Sequence, residues 1–183
     1  MARGDALPPS YMNGKGYSGA GYRGPVASPR FIADEMVGRL ARYLRMVGCD
    51  TAYARGLSDE EIARKAREED RVVVTRDRRL AARADRALLL RSPHLPDQWK
   101  AVRAAYPDLA AEPRFERCTE CNGLLEPVSG PDPANRPENV PWDRVAAGMP
   151  LYRCTTCGHY YWEGSHTADV RARIAEWERA AEP

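Results

Sequence analysis

Val72-Val73-Val74-Thr75-Arg76-Asp77 is the stretch that decides the fold. Its first four residues are all β-branched, and the first three are apolar, with no polar alternation to offer a face to water. Such a run reads as a strand buried on both sides, the position of a central strand in a parallel sheet. The chain then turns polar, and Asp77 falls where the strand ends. Phe31-Ile32-Ala33-Asp34 repeats the arrangement upstream: a short apolar run, then an acid.

Between these runs, Met36 to Val47 carries apolar residues at 36, 40, 43, 44 and 47, the spacing of one helix face, and Gly48 predicts its stop. Thr51-Ala52-Tyr53-Ala54 predicts another strand. Ser58-Asp59-Glu60-Glu61 opens a second helix, with Ser58 and Glu61 as reciprocal partners of a capping box. After Asp77 a short helix is expected through Arg83, then Ala87-Leu88-Leu89-Leu90 as a strand, then a helix through Trp99 and Val102 to Tyr106. Strand and helix alternate with short links, so the expected architecture is α/β with a parallel sheet.

Beyond Pro113 the texture changes to turns, prolines and cysteines. Cys118–Cys121 and Cys154–Cys157 are two Cys-x-x-Cys pairs and hold four of the five cysteines. Each pair brings two thiolates to one ion, and two pairs complete the tetrahedral shell that zinc prefers. Four thiolates leave no open position, so the expected role of the zinc is structural. Two disulfides are the alternative, disfavoured because the N-terminus does not resemble a secretory signal. His159 and His166 are nearby substitutes for a cysteine ligand, or packing and surface histidines. Cys49, in an apolar stretch, is expected to be a buried thiol. Thr167 to Ala180 predicts a final amphipathic helix with Val170, Ile174 and Trp177 on one face.

The carboxyl ends of strands in an open parallel sheet form the crevice where ligands bind. Asp34 and Asp77 each follow an apolar strand, so both are expected on one edge. Taken singly, an acid at a helix N-terminus is explained by capping and by the helix dipole. Taken together, close like charges are costly unless a cation holds them. Carboxylate oxygens suit magnesium or manganese, which can promote phosphodiester hydrolysis. Arg39, Arg42 and Arg45 recur every three residues on the first helix. They are candidate RNA-phosphate contacts, with a solvated helix face as the plainer reading.

The sequence resembles the Mut-seven C-terminal RNase family. The resemblance rests on Phe31-Ile32-Ala33-Asp34, on Gly38-Arg39-Leu40-Ala41-Arg42-Tyr43-Leu44-Arg45-Met46-Val47-Gly48-Cys49-Asp50-Thr51 and on Thr75-Arg76-Asp77-Arg78-Arg79-Leu80. It continues through Arg117-Cys118-Thr119-Glu120-Cys121-Asn122, through Cys154 and Cys157, and through Tyr161-Trp162-Glu163-Gly164-Ser165-His166. It implies a PIN-like α/β/α domain with a parallel sheet, followed by a small zinc ribbon and a C-terminal helix. The implied activity is metal-dependent cleavage of RNA, with Asp34 and Asp77 as magnesium or manganese ligands and Asp59 as a middle acid beside Glu60. Arg78 and Arg79 stand where many PIN domains carry a further acid.

The expected organisation is a Gly/Pro/Tyr-rich disordered tail at 1–29, the PIN-like nuclease domain at 30–112, and the ribbon with its helix at 113–183. The chain has 28 basic and 26 acidic residues, so its net charge of +2 does not by itself announce a polyanion partner. No run approaches the length of a membrane span, and a cytoplasmic protein is expected. The ribbon offers Arg114, Arg117 and Arg153 with Tyr152, Tyr160, Tyr161 and Trp162, either for nucleic acid or for packing its own core. Two further functional classes stand beside the nuclease: a non-catalytic RNA-binding or ribosome-associated adaptor, and a phosphatase-like domain.

Overall fold

The computed structural model describes residues 29–128 and 137–180. The tail expected at 1–29 lies outside the described residues up to position 28. Strands β1 (Phe31–Ala33), β2 (Thr51–Tyr53), β3 (Val72–Thr75) and β4 (Ala87–Leu89) form one sheet in the order β2-β1-β3-β4, with every neighbouring pair parallel. The valine run is the inner strand the sequence predicts, buried along its whole length. Helices α1 (Gly38–Met46), α2 (Asp59–Glu68), α3 (Arg78–Arg83) and α4 (Leu95–Ala105) connect and follow the strands. The single helix expected from Met36 is preceded by a one-turn 3-10 segment, Glu35–Val37, because the Asp34 side chain caps the Met36 N–H. The capping box of α2 is present, with Ser58 N donating to Glu61 Oε2 at 2.8 Å.

Strand alternation sorts the core into two layers. Phe31, Ala33, Val72 and Val74 face Leu40, Leu44, Trp99 and Val102 of α1 and α4. Ile32 and Val73 face Ile62, Ala66 and Leu80 of α2 and α3. The result is an α/β/α sandwich. Each fully buried large apolar side chain contributes on the order of 1.5–3 kcal/mol. The chain winds from β1 out to β2, then back past β1 to β3, so the direction of winding reverses between β1 and β3. Ligand crevices in such sheets open at that reversal, outside the carboxyl ends of the strands.

A second, antiparallel sheet follows, of β5 (Leu125–Pro127), β6 (Leu151–Cys154) and β7 (Tyr160–Trp162), with α5 (Trp142–Ala146) before β6. With the clustered cysteines this is the arrangement of a zinc ribbon. The last helix, α6 (Ser165–Arg179), returns to the first core. Its Val170, Ile174 and Trp177 are buried there, and Trp177 meets Tyr43 at 5.0 Å and Trp99 at 6.2 Å between ring centroids. Among the described residues, no helix is long and apolar enough to cross a membrane.

Two polar joints fasten the first cysteine knuckle to the parallel sheet. Arg45, 4 % exposed, donates from Nε to the Thr51 carbonyl at 2.8 Å and from Nη1 to the Thr119 and Glu120 carbonyls at 2.9 Å each. Asn122 donates to Asp50 Oδ1 at 2.7 Å and accepts from Thr51 N at 3.0 Å. Asp50 also pairs with Arg71 at 2.7 Å and Arg30 at 3.1 Å. Burial pushes the Asp50 carboxyl up, but hydrogen bonds from Arg71 and Asn122 and the charges of Arg71 and Arg117 prevail, leaving it at about 2. A folded pKa below the ordinary 3.8 means ionised Asp50 stabilises the fold above about pH 4, and that the contribution disappears as pH falls through about 2. Urea unfolding of wild type and Asp50→Asn is therefore expected to show a stability gap that narrows by about 2 kcal/mol between about pH 5 and pH 2. A gap independent of pH contradicts the assignment.

Candidate active site

Asp34 and Asp77 follow β1 and β3, the two strands that flank the reversal. Asp34 is 6 % exposed. Its Oδ1 accepts from Met36 N at 2.8 Å, and its Oδ2 accepts from the Thr75 hydroxyl. The same hydroxyl oxygen accepts from Asp77 N at 2.8 Å. One side chain at the end of the central strand thus holds both acidic segments at the same edge. Asp77 also caps α3, its Oδ1 accepting from Arg79 N at 2.6 Å and Leu80 N at 3.4 Å. The capping reading and the edge reading apply to it together, since Oδ2 is left over.

Asp59 occupies the first turn of α2, half-buried, and makes no hydrogen bond or ion pair with Asp34 or Asp77. Among the described residues, the four cysteines form the group of acidic, histidine or cysteine side chains whose ligand atoms all lie within 4.8 Å. Asp34, Asp59 and Asp77 do not close to that spacing. Glu60 is exposed and paired with Arg83. Arg76 makes no ion pair among the described residues, and its Nε is buried without a hydrogen-bond partner.

The three arginines of α1 separate. Arg39 and Arg42 are exposed, and Arg42 pairs with Glu120 at 2.9 Å. Arg45 is turned inward, with Nε and Nη1 donating to backbone carbonyls, a structural role that its reading as an RNA contact did not include. Spacing by three drifts around a helix, which carries the third member off the exposed face.

In the ribbon, Cys118 and Cys157 Sγ lie 3.5 Å apart, as do those of Cys121 and Cys154. All five cysteines are free, so the disulfide alternative falls. The edge of a tetrahedron of thiolates around zinc is about 3.8 Å for Zn–S bonds of about 2.3 Å. The donor set and spacing fit a closed, four-thiolate metal site. The knuckles need unusual backbone: Asn122 has φ 69° and Gly158 φ 75°. A Cβ on Gly123 would stand 2.6 Å from Thr156 Oγ1 and 2.9 Å from Cys154 Sγ, so the two knuckles close only over glycine. Burial raises the thiols of Cys121 and Cys157, whereas at Cys154 burial is outweighed by the N–H donors of Cys157 and Thr156 and the neighbouring thiols, which bring it down to about 6, so the four thiols share charge unevenly. Binding a metal requires all four as thiolates. The Tyr161 hydroxyl accepts from Thr119 N at 3.2 Å and lies 3.1 Å from Cys118 Sγ. His159 and His166 are exposed and outside the cluster. Cys49 is buried, and burial pushes its thiol up to about 12, which makes it inert.

The ribbon aromatics are engaged in packing. Tyr160 and Trp162 line the small core of Val140, Trp142 and Leu151, and Tyr152 stacks on Phe115 at 5.0 Å. The linking role of Thr75 and the knuckle joint are what sequence reasoning passed over. A polar residue closing an otherwise apolar strand was the available signal for Thr75.

The model of the Mut7-C RNAse domain matches residues 29–174, and the chain belongs to that family. No curated protein and no solved structure matches it.

Thr75→Val keeps the shape of the side chain and removes the hydroxyl. It leaves Asp34 Oδ2 buried without its donor, and is expected to lower unfolding free energy by about 1–3 kcal/mol. Thr75→Ser is expected to restore most of it. Urea denaturation checks both, and equal stability of Thr75→Val and wild type contradicts the joint.

Proposed function

We propose that this member of the Mut7-C RNAse family is a divalent-metal-dependent ribonuclease whose working edge is the end of β1 and β3. The observation that carries the reading is the Thr75 hydroxyl joining Asp34 to Asp77 at the winding reversal. Family membership supports ribonuclease chemistry. The donors there are hard carboxylate oxygens with spare lone pairs, which suit magnesium or manganese and not a soft ion. Asp34 and Asp77 are the residues that would hold such an ion, with Asp59, from the first turn of α2, as a further candidate. A bound divalent cation supplies positive charge against the scissile phosphate and lowers the pKa of water.

The chain's own part is positioning. Met36 N and the Thr75 hydroxyl fix both oxygens of Asp34, so its carboxylate loses little freedom when it engages a ligand. The N–H groups of Arg79 and Leu80 fix Asp77 through one oxygen and leave the other. Arg76, whose Nε is buried without a hydrogen-bond partner, is a further candidate for a phosphate oxygen. The cysteine cluster would hold zinc as a structural ion, keeping the first knuckle shaped so that Thr119 and Glu120 can meet Arg45.

A second reading, the RNA-binding adaptor, is favoured by one observation: the three acids do not close to ligand spacing among themselves. Incubation of a mixed RNA pool with Mg²⁺ or Mn²⁺ separates the two. The nuclease reading expects cleavage by wild type and a loss in Asp34→Asn and Asp77→Asn exceeding the roughly 10- to 100-fold that losing an outer partner such as Thr75 costs. RNA binding that is equal in wild type and Asp34→Asn, with no cleavage by either, assigns the adaptor. Elemental analysis is expected to find one zinc per chain and none in Cys118→Ser, with chelation lowering the melting temperature. A fully folded, zinc-free wild type contradicts the structural role.

A further inference from the structure

A groove of about 560 Å³ runs along α1, from the turn just after Asp34 to the first cysteine knuckle. Its walls carry Arg39 and Arg42 of α1, Arg55 just past β2, and Glu120 from between the knuckle cysteines. Two of the described chain's larger exposed apolar side chains also stand in it, Met36 at 54 % and Tyr53 at 40 % exposure. The Tyr53 ring is held in place: a Cβ on Gly38 would fall 2.9–3.1 Å from its atoms, so the ring lies directly against the glycine. Arg39 and Arg55 carry no ion pair among the described residues. Arg42 has only Glu120, at 2.9 Å, and both members are about half exposed. An exposed pair of that kind contributes little and exchanges readily. The remaining acid of the groove, Glu35, is already engaged by the Gly56 N–H.

Guanidinium groups interleaved with a fixed, exposed aromatic face match the two chemistries of an unpaired polynucleotide, a phosphate chain and open base faces. Duplex RNA hides its base faces and offers Tyr53 and Met36 nothing to cover. We propose that this groove is a track for single-stranded RNA. An unstacked base rests on Tyr53 and Met36, phosphates bind Arg39, Arg42 and Arg55, and Glu120 is the anion that Arg42 exchanges for phosphate. The inference rests on the ribonuclease reading in one respect: the track ends one residue from Asp34, which delivers the strand to the proposed cleavage edge. It also gives the first knuckle a second task, since the backbone that presents Glu120 to the groove is held by Arg45 through the Thr119 and Glu120 carbonyls.

The test is binding of a fluorescently labelled, short single-stranded RNA by the zinc-loaded full chain, without added magnesium or manganese, followed by anisotropy across a salt series. Arg39→Gln, Arg42→Gln and Arg55→Gln are each expected to weaken binding and to reduce the slope of log affinity against log salt by about 0.7, the value for one lost phosphate contact on a single strand. Tyr53→Ala is expected to weaken binding roughly five- to hundredfold while Tyr53→Phe retains it. Glu120→Gln is expected to tighten binding, a gain that misfolding cannot mimic. Arg64→Gln, on the exposed face of α2, is expected to change nothing. The proposal is overturned if the groove variants bind like wild type, if a duplex binds with the same dependence, or if an oligoglutamate peptide and not RNA shows the arginine dependence. Unchanged binding by groove variants with Asp34-dependent cleavage removes the track and leaves the nuclease. Groove-dependent binding without cleavage under any metal leaves the track and removes the nuclease.

Discussion

A carboxylate buried at the end of β1 constrains everything around it. Asp34 is 6 % exposed, and a polar group so placed is tolerated only if its oxygens meet hydrogen-bond partners. Those donors are the Met36 N–H and the Thr75 hydroxyl. The first forces a tight 3-10 turn before α1. The second requires β3 to lie beside β1 in a register that brings Thr75 level with the start of that turn, with Ala33 opposite Val74. Because the Thr75 oxygen also receives the Asp77 N–H, the start of α3 is drawn to the same place. At the winding reversal, one satisfied carboxylate thus links the turn before α1, the end of β3 and the start of α3.

A buried cation does the corresponding work for the ribbon. Arg45 has left water, and breaking such a site by removing one side of it is strongly destabilising. Its partners are carbonyls, one from β2 and two from between the knuckle cysteines, and carbonyls can be in the right place only if the knuckle backbone is fixed. Anything that loosens the cysteine cluster therefore reaches α1, whose exposed side forms the groove. The helix α6 closes the circuit from the other direction, with Trp177 among the aromatics of α1 and α4 and Glu178 accepting from Trp99 Nε1 at 2.7 Å. The ribbon is bracketed by segments of the sheet domain at both of its ends.

The parallel sheet was legible because its signal is local: Val72 to Thr75 and Phe31 to Ala33 are runs of buried side chains, and both were read at their observed positions. The cysteine cluster was legible because Cys-x-x-Cys spacing dictates the knuckle by itself. The amphipathic pattern of the last helix gave Val170, Ile174 and Trp177 as one face, but periodicity does not say which core that face meets. Arg45 was read as exposed because a one-dimensional stripe of arginines cannot distinguish a charge in water from one satisfied by carbonyls 74 and 75 residues away. Thr75 was seen as part of a motif without its role, since joining two acids depends on strand register. The helix α5 went unread among prolines, where Trp142 and Leu151 build a small core of their own.

The groove runs along α1 from the turn after Asp34 to the first knuckle, and the functional account stands or falls on whether Asp34 and Asp77 bind one cation between them. Anomalous diffraction from crystals grown with Mn²⁺ tests this most directly. The account predicts a manganese peak bonded by oxygens of both Asp34 and Asp77, absent from Asp34→Asn crystals grown the same way. Manganese found only at other surface acids, with both side chains well ordered and still in their capping contacts, contradicts it.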